Sequence, residues 1–133
     1  MGTLIDSSVL VEAERGRFDL ERTLTLYPEE VFSIATITVA EVLHGLHRAV
    51  REEQRRRRER FVEYMLTTYP VLSFDLETAQ VHARLWAGLA SVGITVGAHD
   101  LIIAATAVSH GLQVATRDLR GFPKIPGLAV AQW

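Results

Sequence analysis

"TLIDSSVLVEAERG", residues 3–16, holds the decision about the fold. Residues 3–6 are apolar up to Asp6 and read as a short buried strand. Residues 7–16 follow with a helical pattern that closes near Gly16. The same succession recurs down the chain. Residues 31–36, VFSIAT, predict a second strand, and a helix over 37–54 follows whose continuity is weakest at Gly45. Residues 55–69 predict another helix and 71–75 a third strand. A helix over 76–93 carries apolar positions Ala79, Ala83, Trp86, Ala87 and Ala90. A further helix over 98–111 is apolar almost all round after Asp100 and closes at Gly111. Residues 112–116 and 128–131 predict the last strands. The strands are continuously apolar instead of alternating, as strands covered on both faces are. The expectation is α/β: a mostly parallel, roughly five-stranded central sheet with helices on both faces.

The composition fits one domain over 1–133 with a full core, 48% of the residues being hydrophobic. No apolar run approaches the roughly 20 residues that span a bilayer, so no membrane association is expected. The N-terminal stretch is interrupted by Asp6 and has no basic residue before it, unlike a signal peptide. MGTLID also departs from the myristoylation pattern. The chain has no Cys, hence no disulfide frame and no thiolate metal site. A cytoplasmic protein is the simplest reading. The net charge of −2 argues against a passive nucleic-acid coat protein, though not against an enzyme whose acids hold cations.

Three acids stand where such a fold forms its sites, at the carboxyl edge of the sheet, and a fourth, Asp100, has no strand directly before it. Asp6 ends the first strand, Glu41 lies in the first turn after the second, Asp118 follows residues 112–116, and Asp100 opens a helix. Each also has a plain structural role. Asp6 suits a helix cap, Thr38-Val-Ala-Glu41 matches a capping box, Asp118 suits a turn, and Asp100 suits a first helical turn. Together, however, four converging carboxylates repel one another unless a cation neutralises them. Hard Mg²⁺ or Mn²⁺ takes such oxygen ligands.

The five His form no competing cluster: His44 and His47 lack the Glu expected between helical zinc ligands. The run VREEQRRRRERF, residues 50–61, has two readings, a solvated helix of internal ion pairs or a contact for RNA phosphates or a partner protein. A receiver-type domain would need a Lys near the last strands, whereas Lys124, the only Lys, follows Pro123 in a loop. A haloacid-type phosphatase would need D-x-D where the chain has Asp6-Ser7-Ser8, and no Gly-rich phosphate loop is present.

Residues 4–11 (LIDSSVLV), 37–45 (ITVAEVLHG), 98–107 (AHDLIIAATA), 115–128 (ATRDLRGFPKIPGL) and the final Trp133 carry a resemblance that covers the whole length in order. The chain resembles a PIN-domain ribonuclease of the VapC toxin type. The resemblance implies a PIN-like three-layer sandwich. It implies that Asp6, Glu41, Asp100 and Asp118 are the acidic quartet that holds the metal. Asp6 and Asp100 match the most constant ligands, whereas Asn is frequent at the position of Asp118. Ser8 and Thr116 match polar positions that support the site. The implied activity is that of a Mg²⁺-dependent endoribonuclease toxin, Mn²⁺ substituting, in which metal-activated water leaves 5′-phosphate and 3′-hydroxyl ends. The implied partners are a VapB-type antitoxin, a transfer or ribosomal RNA substrate and a second copy in a homodimer. The alternative is a PIN-like scaffold that binds metal or RNA without catalysis.

Overall fold

The computed structural model describes residues 2–133. Five strands make one sheet: β1 (Gly2–Ile5), β2 (Val31–Ala35), β3 (Val71–Leu72), β4 (Gln113–Thr116) and β5 (Val130–Gln132). Their order is β3-β2-β1-β4-β5, and every neighbouring pair is parallel. The helices that link them are α1 (Ser7–Glu14), α2 (Leu20–Thr25), α3 (Thr36–His47), α4 (Glu52–Thr68), α5 (Leu76–Ser91) and α6 (Ala98–Ser109). The expected α/β architecture is therefore present, with the sheet parallel throughout.

Adjacent residues of a strand point to opposite faces, and each face has its own core. Leu4, Ala35 and Val114 face Leu101, Ile103, Ala104 and Ala107 of α6. Ile5 and Ile34 face Val9 and Leu10 of α1 and Met65 of α4. Ala104, Ala105 and Ala107 are fully buried, and their small side chains allow α6 to lie close against the sheet. No helix among the described residues is long and apolar enough to cross a membrane.

The sheet grows from β1 to β2 and β3 on one side, then returns to place β4 and β5 on the other. The order reverses between β1 and β4, which is where open α/β sheets leave a crevice at their carboxyl ends. The Asp6 amide donates to the Ala115 carbonyl at 2.9 Å and ties the two strand ends together there.

Several details depart from the sequence reading. On α5 the buried row is Thr78, Val81 and Leu89, with Leu85 partly covered. Ala83, Trp86, Ala87 and Ala90 point outward, and Ala79 is half-buried. The rotation is set at the helix start. Asp75 caps the Thr78 amide at 2.9 Å, and the buried Thr78 hydroxyl reaches Asp75 and Ser109. That cap also limits β3 to Val71–Leu72 instead of the expected 71–75. Helix α3 runs through Gly45 and stops at His47. The chain breaks at residues 48–51, where Arg51 is extended. The last strand is shifted to Val130–Gln132. Helix α2 was not expected at all. It has only six residues and no apolar period long enough to read, and the Asp19 carboxylate starts it by accepting from the Arg22 amide at 3.0 Å.

Candidate active site

Asp6 stands at the end of β1 and is 3% exposed. Its Oδ2 caps α1, accepting from the Ser8 amide at 3.3 Å and the Ser8 hydroxyl at 2.7 Å. The Thr116 hydroxyl, at the end of β4, donates to the same oxygen at 3.0 Å. Ser8 in turn accepts from the Arg117 amide at 3.0 Å, and Thr116 accepts from the Asp118 amide at 2.9 Å. The cap and the site are thus one arrangement: Oδ2 is held by hydroxyls from the start of α1 and the end of β4, while buried Oδ1 has no partner.

Glu41 is not part of a capping box. Helix α3 begins at Thr36, directly after β2, so Thr38 lies inside the first turn and its buried hydroxyl is unpaired. The Glu41 carboxylate turns instead toward α1 and α6. Its Oε2 accepts from the Ser7 hydroxyl at 3.3 Å and lies 3.6 Å from His99 Nδ1, while Oε1 is buried without a partner. Burial raises the Glu41 pKa; a charged His99 opposes the rise and Asp6 adds to it.

Asp100 is in the first turn of α6. Burial, and then the charges of Asp6, Asp118 and Glu41, push its pKa up to about 6. The other three carboxylates therefore lie near enough to act on the charge of Asp100. A side chain at buried Gly121 would crowd it, since a Cβ there would lie 3.0 Å from Asp100 Oδ2.

Asp118 does make the expected turn, accepting from the Arg120 amide at 3.0 Å. It also holds the Arg120 guanidinium through both oxygens, at 2.9 and 2.7 Å. Those bonds to Arg120 pull the Asp118 carboxyl down to about 2.

The donors in this pocket are almost all oxygens, the chemistry that suits a hard divalent cation. Two buried carboxylate oxygens, Asp6 Oδ1 and Glu41 Oε1, lack any partner, and an orphaned buried carboxylate oxygen calls for a cation or a proton. The residues therefore fit a metal. They are not already closed around one: among the described residues no three His, Asp or Glu side chains are gathered tightly enough to hold an ion.

The sequence reading did not single out Ser7, Arg120 or Gly121 as site residues. Arg120 had a local signal, since a cation two residues beyond an acid can fold back onto it. Gly121 had none, because its role depends on a neighbour from another element. The remaining Arg are partly accounted for by ion pairs. Arg55 and Arg56 pair along α4 with Glu59 and Glu52, while Arg57 and Arg58 reach the nearly buried Glu14 of α1.

The PIN domain family model matches residues 3–128. Ribonuclease VapC1 of Rickettsia felis is 34% identical over 130 residues, covering 98% of this chain and 95% of that protein. The chain is a PIN domain of the VapC family. A second relative, the tRNA(fMet)-specific endonuclease VapC of Salmonella typhimurium, is 35% identical over 100 residues, 75% of this chain and 74% of that protein. The PIN fold extends over the whole length. DNA-bound VapBC from Salmonella typhimurium superimposes with a TM-score of 0.89 at 27% identity, covering 100% of this chain and 98% of that one.

Proposed function

We propose that this PIN domain is a divalent-metal-dependent endoribonuclease, the toxin of a toxin–antitoxin pair, acting as a single domain over residues 1–133. The observation that supports the reading is that Asp6 Oδ1 and Glu41 Oε1 are buried and unpaired, in a neighbourhood where Asp6, Glu41 and Asp118 all act on the charge of Asp100. Asp6, Glu41 and Asp100 would hold Mg²⁺, or Mn²⁺ in its place, and Asp118 would complete the set. The bound cation would supply activation of water and stabilisation of charge on the phosphoryl oxygens. The chain's own contribution is position. Ser8 and Thr116 fix one Asp6 oxygen and leave the other open to the pocket. Ser7 and His99 orient Glu41. Buried α6 presents Asp100 from a rigid base. The RNA names carried by the relatives support the substrate class.

The same reading includes a VapB-type antitoxin, supported by the VapBC complexes that share the fold. A groove of about 370 Å³ lies between α1, α3 and α4, with an apolar floor of Leu10, Val11, Val42 and Phe61. It reaches Glu41, so an apolar antitoxin segment lying there could direct a basic side chain toward the acids. A homodimer belongs to the proposal as well, as does action in the cytoplasm.

The test is RNA cleavage and the ends it leaves. EDTA should stop cleavage, and Mg²⁺ or Mn²⁺ should restore it, whereas Ca²⁺ should support it poorly. The products should carry 5′-phosphates and be ligatable without kinase treatment. Cleavage that persists in excess EDTA and leaves 2′,3′-cyclic ends would refute the metal mechanism. A chain that binds metal and RNA without cutting would instead be a scaffold.

A further inference from the structure

The loop after β4 carries a cation that the chemistry above leaves unused. Arg120 meets Asp118 with both teeth of its guanidinium fork. The pair does little for the fold, because the Arg120 side chain is 91% exposed and an ion pair so open to solvent adds little stability. The turn is already closed by the Arg120 amide, which donates to Asp118 Oδ1 at 3.0 Å. Arg117, three residues earlier, is committed elsewhere: it donates to the Trp133 carbonyl at 2.9 Å and lies 4.9 Å above the Phe18 ring. The next residue, Gly121, passes so close to Asp100 that a Cβ there would lie 3.0 Å from Asp100 Oδ2, so the loop carries Arg120 beside both acids.

Two demands meet at Asp118. Three of its roughly four acceptor positions are filled, one by the Arg120 amide and two by its guanidinium. Only one position on Oδ2 is left, so a cation that takes that carboxylate through both oxygens must displace the guanidinium. An RNA strand has the opposite need, since its phosphates approach four acids and require a positive group beside them. A guanidinium released there suits that role, because its planar fork matches a phosphate's oxygens.

We propose that Arg120 is a phosphate-binding residue of the substrate site, parked on Asp118 until a divalent cation claims that carboxylate. The inference rests on the nuclease reading, and it makes two demands that do not involve cleavage. Removing the guanidinium should strengthen metal binding, and it should weaken RNA binding.

The experiment uses Arg120→Gln and Arg120→Lys beside the unsubstituted chain. Titration with Mn²⁺ alone should show Arg120→Gln binding roughly twofold to fivefold more tightly. Binding of a short single-stranded RNA, with Ca²⁺ in place of Mg²⁺, should weaken about tenfold in Arg120→Gln, and its salt dependence should fall by about one ion. Arg120→Lys keeps the charge without the fork and should lose less RNA affinity. Unchanged or weaker Mn²⁺ binding in Arg120→Gln overturns the proposal, and so does RNA binding with the same affinity and salt slope. Cleavage by the unsubstituted chain in Mg²⁺ is measured alongside. Its absence would sink the nuclease reading; its presence, with Arg120→Gln unaltered in both titrations, sinks only the role of Arg120.

Discussion

Asp100, in the first turn of α6, and Asp118, in the loop after β4, are neighbouring carboxylates that titrate apart. On the α6 wall, burial and three neighbouring carboxylates push Asp100 up to about 6. On the β4 loop wall, Arg120 holds Asp118 down near 2. The side chains are the same. What differs is that the loop wall brings its own cation, within its own turn and bonded to Asp118, while the α6 wall is half-buried and its His99 turns to Glu41 instead of Asp100. The comparison teaches where a cation is needed. The α6 side of the pocket is the electrostatically strained one, and the loop side is provisionally satisfied.

The largest break in that contrast comes from neutralising the strained side. Asp6→Asn and Asp100→Asn should each lower RNA cleavage roughly a thousandfold or more while leaving the fold intact, read by single-turnover kinetics and circular dichroism. Full activity in both, with normal metal dependence, would remove the site assignment. Next is Gly121, whose missing side chain leaves room for Asp100. Gly121→Val should displace that carboxylate and lower cleavage about tenfold to a hundredfold, with a smaller loss in Gly121→Ala. If Gly121→Val keeps full activity, the close approach is incidental.

The third test sharpens the comparison through pH in the metal-free protein. The Asp100 pKa is raised in the folded state, so its contribution favours folding below the unfolded value of 3.8 and is lost as pH rises through about 6. Asp100→Asn should therefore be more stable than the unsubstituted chain at pH 7 by about 1–2 kcal/mol, after allowing for solvent screening. The two should be equal near pH 4. Denaturant unfolding at both values in EDTA decides it, and an equal difference at both would show that the carboxylate is not strained. The smallest effect belongs to the loop wall: Asp118→Asn should lower cleavage only about threefold to tenfold. A loss as large as that of Asp100→Asn would erase the distinction between the walls.

Much of this was legible in the chain. The strand–helix alternation and the continuously apolar strands predicted a parallel sheet covered on both faces, and five parallel strands form it. Residues 4–11 and 98–107 carried the family resemblance, which the match over residues 3–128 bears out. The α5 stripe was not legible. Ala and Trp count as apolar wherever they point, and the rotation of α5 depends on the Asp75–Thr78 cap and on Ser109 of α6. The Thr38–Glu41 box misled for a related reason. The spacing suits a cap only where a helix starts at Thr38, and β2 delivers the chain into α3 earlier.

The sequence by itself determined the order of the strands and of every helix but α2, the burial of α6, and the placing of Asp6 and Asp118 just beyond strands. Those follow from local periodicity, which spans a few residues and needs no knowledge of partners. Only the tertiary structure decided that one Asp6 oxygen is tied by Ser8 and Thr116 while the other is left bare, and that Glu41 faces His99. It alone decided that Gly121 makes way for Asp100 and that the two walls differ in charge balance. Each of these joins residues far apart in the chain. Burial and the distance between charges set a carboxylate's behaviour, and neither exists until the elements pack.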